Sequence, residues 1–195
     1  MSKFILASQS PRRKTLLEWA ELPFEIIVSD IDESYPANLS IEQVPVFIAK
    51  NKAEAVKQKM IVEQMDTKDT CIIAADTVVV LADAIIGKPI DKRDAINSLS
   101  KLSGKAHQVI TGVVILFQDQ EVAFSETTQV EFHDLTQAQI EFYVDQYKPY
   151  DKAGAYAIQE WIGVVGIKSI HGDFYNVIGL PVSKLIQKLK QLNIL

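Results

Sequence analysis

Cysteine is almost absent from this chain of 195 residues, where Cys71 is the only one. A single cysteine excludes a disulfide framework and a thiol cluster for zinc, so we expect a reducing compartment. No apolar run reaches the roughly 18 to 20 residues of a membrane span. The N-terminal stretch Met1 to Ala7 is too short for a signal peptide. These absences predict a soluble, cytoplasmic protein.

Positive charge and familiar catalytic motifs are also scarce. The formal net charge of −5 argues against a nucleic-acid polymer as partner, although a few converging cations suffice for a small phosphorylated ligand. The chain has no Walker A loop, GxGxxG fingerprint or GxSxG elbow, which disfavours kinases, dehydrogenases and serine hydrolases. His107, His133 and His171 are scattered without the spacing of metal ligands.

Strand and helix patterns alternate along the chain, and a 48% hydrophobic composition supports one large or two small packed units. The pattern predicts an α/β protein with a large curved sheet and a cleft between two lobes. The predicted strands cover 4–7, 24–28, 71–81, 109–117, 121–132, 164–170 and 175–178. The predicted helices begin after Ser10, near Val46, and after Asp91, Thr136 and Pro181.

The start of the first predicted helix carries Arg12, Arg13 and Lys14. Cations in a first helical turn are unfavourable by roughly 0.3 to 1 kcal/mol each, because the helix dipole is positive there. A bound anion would offset this cost, and Ser8 and Ser10 add hydroxyl donors for a phosphate. The alternative is a solvated basic face on an ordinary capped helix.

Asp76 interrupts a long apolar strand. A carboxylate buried in this way must be paired, hydrogen-bonded or bound to a metal. Backbone amides or Thr77 could satisfy it as a structural group. Alternatively, Asp76 and Glu33 could supply the one or two carboxylates that Mg²⁺ or Mn²⁺ takes at a triphosphate site. Glu33 lies in an acidic loop of a kind that is usually just solvated.

Three further polar residues have open interpretations. Lys88 lies in a Gly-Lys-Pro turn that would either fix the direction of its ammonium group or be an ordinary surface turn. Lys52 lies near the apolar face of the second helix, where it can extend to solvent or point into a site. Gln159 ends a segment of small residues from Asp151, which suits either a base or ribose contact or a tight turn.

Six blocks, taken together, resemble the Maf family over nearly the whole chain. They are LASQSPRRKTLL from Leu6, AADTVVV from Ala74, GKP from Gly87, LSGKAHQVITGV from Leu102, DKAGAYAIQ from Asp151 and GDFYNVIGLP from Gly172. The resemblance implies a single Maf domain over residues 1–195 with a Maf/Ham1 (ITPase-like) fold: an elongated mixed curved sheet flanked by helices, in two lobes around a central cleft. It also implies a homodimer and metal-dependent cleavage of nucleoside triphosphates into monophosphate and pyrophosphate, with Mg²⁺ or Mn²⁺ as cofactor.

The resemblance also implies roles for individual residues. Asp76 matches the proton acceptor, and the positions linked to substrate choice are Arg12, Thr77 and Gln159. The polar lining of the cleft is matched by Ser8, Arg13, Glu33, Lys52 and Lys88. The block ending at Gln159 resembles the subgroup that acts on dTTP and UTP. Ala157, Glu160 and Trp161 depart from the small residues expected there, and Trp161 is expected to narrow the base pocket.

The mechanistic hypothesis gives Asp76 two roles that compete, because a direct metal ligand is a weaker base. Either Asp76 holds the ion through a water, or Glu33 carries the metal. A nucleotide-sensing regulator of cell division that binds without turnover, and a pyrophosphatase for 7-methyl-GTP, are the alternative functions. A pure binder gains nothing from a carboxylate beside the phosphates unless a metal screens it.

Overall fold

The computed structural model describes residues 3–195, so Met1 and Ser2, the first part of the stretch Met1 to Ala7, lie outside the described residues. The strands are β1 (Lys3–Leu6), β2 (Glu25–Ile26), β3 (Thr70–Leu81), β4 (Ala84–Ile86), β5 (Ala106–Phe117), β6 (Gln120–Phe132) and β7 (Ile167–His171). The helices are α1 (Pro11–Trp19), α2 (Gln43–Val62), α3 (Lys92–Leu102), α4 (Gln137–Tyr147), α5 (Trp161–Gly166), α6 (Phe174–Ile178) and α7 (Val182–Gln191), and a 3-10 turn covers Ala153–Ala155.

The strands form one mixed sheet in the order β2-β1-β3-β5-β6-β7, with β4 paired to β3. Strand β1 runs parallel to both β2 and β3, so that Leu6 lies opposite Ile26 on one side and Ile73 on the other. Strands β4 and β7 pair antiparallel with β3 and β6. The α/β prediction with a mixed sheet flanked by helices is confirmed.

The chain divides into two compact units. Unit 1 comprises Met1–Asp76, Thr111–Glu126 and Gly179–Leu195, and unit 2 comprises Thr77–Ile110 and Thr127–Ile178. In unit 1, helix α2 buries the face that the sequence predicts for it, Ala49, Ala53 and Val56. This face packs with Ile5 and Ile72, so α2 lies against the strands β1 and β3.

Unit 2 has a core with several polar aromatic groups. Helix α3 packs against α4 and against the 3-10 turn, and Tyr143 on α4 is fully buried. The ring of His107 stacks on Phe132 at 5.4 Å, and its Nε2 lies 2.8 Å from the hydroxyl of Tyr156. Burial lowers the pKa of His107 to about 4. This histidine is therefore a neutral packing residue.

The helix starts follow the predicted caps. Ser10 accepts a hydrogen bond from the amide of Arg13, and α1 begins at Pro11. Asp91 accepts one from the amide of Asp94, and Thr136 forms a reciprocal capping box with its N3 glutamine at the start of α4. In each case a short polar side chain satisfies a backbone donor that the helix leaves unpaired.

Near the C-terminus, one strand prediction is wrong in part and a second is wrong over its whole length. The segment predicted as a strand from Val164 is helical in α5 up to Gly166, and only Ile167–His171 is a strand. The predicted strand Tyr175–Ile178 is the short helix α6, which begins where the carboxylate of Asp173 accepts from the amide of Tyr175 at 2.8 Å. Short apolar runs fit either structure by periodicity, so tertiary packing decides between them. Among the described residues, no helix combines the length and the apolar character needed to cross a membrane.

Candidate active site

The parallel pairing of β1 and β3 brings two predicted site residues to the same edge of the sheet. Leu6 is paired with Ile73, and the amide of Ala7 donates to the carbonyl of Ile73 at 2.8 Å, which extends the ladder beyond β1. Ser8 follows directly, and Asp76 lies three residues beyond Ile73 in β3. Because the parallel register places Ser8 opposite the part of β3 that follows Ile73, the start of α1 and Asp76 are neighbours in unit 1, where the charge of Asp76 acts on Arg13.

Arg13 is the most buried cation at this edge, with 8% of its surface exposed. Its Nε donates to the carbonyl of Gly179 at 2.8 Å, and its Nη1 donates to Ser8 Oγ at 3.2 Å. Burial lowers the pKa of Arg13, while the negative charge of Asp76 acts in the opposite direction, as does that of Glu33. The guanidinium is thus fixed by two hydrogen bonds within reach of the charges of Asp76 and Glu33.

Arg12 and Ser8 complete the cationic side of the site. Arg12 is half-buried in the same turn as Arg13, and its charge further lowers the pKa of Arg13. Ser8 Oγ accepts from the amide of Ser10 and from Arg13, both at 3.2 Å. Both lone pairs of this hydroxyl are then engaged, so its proton is the part that can be donated to a ligand.

Lys52 joins the two predicted acidic residues. Its Nζ lies 2.7 Å from Asp76 Oδ1 and 2.7 Å from Glu33 Oε1. Asp76 is 9% exposed, so a cationic partner is needed to hold its charge, and Lys52 supplies it. The side chain of Lys52 therefore points into the site. Asp76 is therefore paired with a cation of α2, and does not depend on backbone amides or Thr77 alone.

The donor set fits a hard divalent cation in part. Asp76 and Glu33 contact one ammonium group, so their carboxylates are close neighbours and both offer oxygen. No group of three or more His, Cys, Asp or Glu side chains that could together hold a metal ion is found among residues 3–195. Magnesium sites at triphosphates need only one or two carboxylates, because phosphate oxygens and water complete the shell. The residues present fit such an ion.

The other three predicted site residues belong to unit 2. Thr77 follows Asp76 in β3 and is half-buried. Lys88 is exposed between β4 and α3, and Gln159 is exposed in the turn before α5. Their roles in substrate binding stay predictions.

Sequence reasoning missed two groups that hold site residues in place. Gly179, whose carbonyl accepts from Arg13, is 166 positions away and gave no local signal. In the sequence, Glu160 stands out only as a departure from the family pattern. In the structure its carboxylate accepts a hydrogen bond from Tyr143 and lies 3.5 Å from Lys152 Nζ. Contacts between distant segments of this kind have no signature in one sequence.

Comparisons with known proteins identify the family of the chain. A family model described as "Maf-like protein" matches residues 3–192. A "dTTP/UTP pyrophosphatase" of Parabacteroides distasonis is 49% identical over 189 residues, covering 96% of this chain and 95% of the relative. The protein of that name from Cytophaga hutchinsonii is 48% identical over 188 residues, covering 96% of this chain and 83% of the relative.

Among solved structures, the Staphylococcus aureus Ham1 protein aligns with a TM-score of 0.43 at 14% identity, covering 68% of this chain and 72% of that one. A likeness at this level carries no argument. The family model and the relatives, by contrast, span nearly the whole chain, including every block that carries the Ser8, Asp76 and Gln159 positions. The chain belongs to the Maf family.

Proposed function

We propose that this protein hydrolyses dTTP and UTP to the nucleoside monophosphate and pyrophosphate. Two relatives of nearly full-length similarity are named for that activity. The observation that carries the proposal is the buried pair of Asp76 and Lys52 next to the fixed guanidinium of Arg13. An embedded acid beside converging cations suits attack of water on a phosphate ester or anhydride.

The triphosphate is bound at the start of α1. There the hydroxyl proton of Ser8 and the positive charges of Arg12 and Arg13 converge on an anion, at the positive end of the helix dipole. Phosphoryl transfer asks the protein mainly to position the phosphates and neutralise their charge. The hydrogen bonds from Arg13 to Gly179 and Ser8 keep that charge in place before the substrate arrives.

Asp76 orients the attacking water and accepts its proton. The water oxygen forms a bond to the α-phosphorus, the bond from that phosphorus to the bridging oxygen breaks, and pyrophosphate leaves with the electron pair. Lys52 donates to Asp76 through one N–H, which fixes the carboxylate for this role. In this scheme Lys52 fixes the carboxylates of Asp76 and Glu33, and its third N–H donates to the phosphates.

Asp76 and Glu33 are the residues that would hold Mg²⁺ or Mn²⁺. Such an ion supplies charge neutralisation at the phosphate oxygens and at the departing pyrophosphate. Glu33 is exposed, whereas Asp76 is buried. We therefore propose that Glu33 would ligate such an ion directly, while Asp76 would hold it through a water and serve as the base.

Thr77, Lys88 and Gln159 are proposed to contact the nucleotide on the basis of family membership. Lys88 adds a positive charge for the phosphates, and the amide of Gln159 can both donate to and accept from a pyrimidine edge. A cytoplasmic location and a homodimer remain predictions of the sequence.

Pyrophosphate release tests the proposal. Purified protein is incubated with dTTP, UTP, dCTP, ATP and 7-methyl-GTP, with Mg²⁺ and again with a chelator. We expect turnover of dTTP and UTP that the chelator abolishes. Binding of triphosphates without release of pyrophosphate would instead indicate a sensor, and preference for 7-methyl-GTP would overturn the substrate assignment.

A further inference from the structure

A hydrogen-bonded network in unit 2 holds the turn that carries Gln159. The turn covers residues 157–160, and the amide of Glu160 donates to the carbonyl of Ala157 at 3.0 Å across it. Gln159 is exposed on this turn, while Ile158 before it is 5% exposed and anchored in the core. The direction in which the Gln159 side chain points therefore depends on what fixes the two ends of the turn.

Tyr143 fixes both ends through one hydroxyl. The hydroxyl accepts from the amide of Ala157 at 3.1 Å and donates to the carboxylate of Glu160. Burial raises the pKa of Tyr143 well above its ordinary value, and the hydrogen bond to Glu160 acts in the same direction. The phenol stays protonated at every working pH and keeps its role as donor.

Three further contacts restrain the turn. Lys152, which is 8% exposed, places its Nζ 3.5 Å from the other carboxylate oxygen of Glu160. The ring of Trp161 packs edge-on against Phe142 at 4.8 Å, so α4 also contacts the residue that follows the turn. On α5, a Cβ added to Gly163 would lie 1.6 Å from the carbonyl oxygen of Ile158, so the helix packs directly against the turn.

We infer that Tyr143 and Glu160 are positioning residues for base selection, acting through the orientation of Gln159. This inference rests on the proposed function, in which Gln159 contacts the base. Neither residue is required for the chemistry at Asp76. Loss of the network therefore lowers discrimination between bases more than it lowers turnover of a saturating substrate.

The test compares kcat/KM for dTTP with kcat/KM for dCTP in matched variants. Tyr143→Phe removes the hydroxyl and should lower the ratio roughly tenfold, the equivalent of one lost hydrogen bond to the base, with kcat for dTTP nearly unchanged. Tyr147→Phe is the control, because it removes the same group one turn later on α4, from a residue that is 38% exposed. It should leave the ratio within about twofold.

Conservative and double substitutions separate positioning from a general loss of structure. Glu160→Gln keeps an acceptor for Tyr143 and should retain most of the ratio, whereas Glu160→Ala should behave like Tyr143→Phe. Adding Tyr143→Phe to Gln159→Ala should cause no further loss, because both changes remove the same contact. A ratio unchanged by Tyr143→Phe and Glu160→Ala, or fully additive losses in the double variant, would overturn the inference.

Amide hydrogen exchange at Ala157 and Glu160 gives a readout that does not depend on the substrate. We expect exchange at least tenfold faster in Tyr143→Phe and unchanged in Tyr147→Phe. If the native protein shows no preference for dTTP, or Gln159→Ala leaves the ratio intact, base reading by Gln159 fails. In that case the exchange rates test only whether Tyr143 holds the turn. Faster exchange in Tyr143→Phe supports this role, and unchanged exchange contradicts it.

Discussion

The two units of the molecule bury different kinds of polar group. In unit 1, Arg13, Lys52 and Asp76 are buried or half-buried ions that share partners at the edge of the sheet. In unit 2, His107 and Tyr156 are held neutral by burial and contact each other. We propose that the charges of unit 1 serve to bind and cleave a triphosphate. In unit 2 the neutral groups, together with the Lys152–Glu160 ion pair, fix the positions of segments.

The largest effect in this comparison is expected from Asp76→Asn. The substitution keeps the shape of the side chain and removes its charge, so turnover of dTTP should fall on the order of 10²- to 10⁴-fold, the range for a lost general base. Steady-state release of pyrophosphate measures it, with Asp83→Asn in the exposed turn before β4 as the control. Turnover within a factor of ten of the native protein would refute the role of Asp76.

Low pH should destabilise the fold through His107. Its folded pKa of about 4 lies below the ordinary histidine pKa of 6.5, so between these values only the unfolded chain binds the proton. The contribution of His107 to the free energy of unfolding is complete above about pH 6.5. It is lost as the pH falls towards 4, by up to about 3 kcal/mol. Urea unfolding from pH 7 to pH 4.5 measures this.

The His107→Gln variant isolates that contribution, because the glutamine does not titrate. Its free energy of unfolding should depend less steeply on pH than that of the native protein over this range. His171→Gln, at an exposed histidine of β7, should leave the pH dependence unchanged. Identical slopes for His107→Gln and the native protein would contradict a neutral, buried His107.

A smaller loss of stability is expected from Gly112→Ala in unit 1. The added Cβ would lie 2.3 Å from the amide nitrogen of Val46 at the start of α2, and backbone cannot yield as a flexible side chain does. We expect a loss of about 1 to 3 kcal/mol in the free energy of unfolding. Gly87→Ala, which meets nothing within 4 Å, should be close to neutral.

The smallest of these effects is expected from Arg13→Lys. Lysine keeps the charge but cannot donate to Gly179 and Ser8 from one planar group, so kcat/KM for dTTP should fall about tenfold. Arg93→Lys, the same change in the exposed first turn of α3, serves as the control. Unchanged kcat/KM in Arg13→Lys would mean that positive charge alone matters at this position.

Much of the fold could be predicted from the pattern of residues. The apolar run through Cys71 predicts β3 to within one residue, and the caps at Ser10, Asp91 and Thr136 predict three helix starts. These features are local, because a cap or an apolar strand is encoded within a few neighbouring positions. The short helices α5 and α6 could not be predicted, because they form where glycine packing and the Asp173 turn override an ambiguous apolar run.

The contacts inside the unit 1 part of the candidate site could not be predicted from the sequence. Every acid and cation proposed for unit 1 lies in one cluster, yet the sequence did not indicate that Lys52 joins Asp76 to Glu33. Nor did it indicate that Arg13 is fixed by the carbonyl of Gly179. Pairings of this kind join segments that meet only after the sheet has formed.

The sequence by itself determined the family, the α/β class, the positions of the main helices and long strands, and the residue types that we propose bind a phosphate. The tertiary structure alone decided which of those charges are buried, which partner neutralises each one, and which turn α4 holds in place. The physical reason is range: capping and periodicity act within a few residues, whereas burial and ion pairing are properties of surfaces brought together by folding.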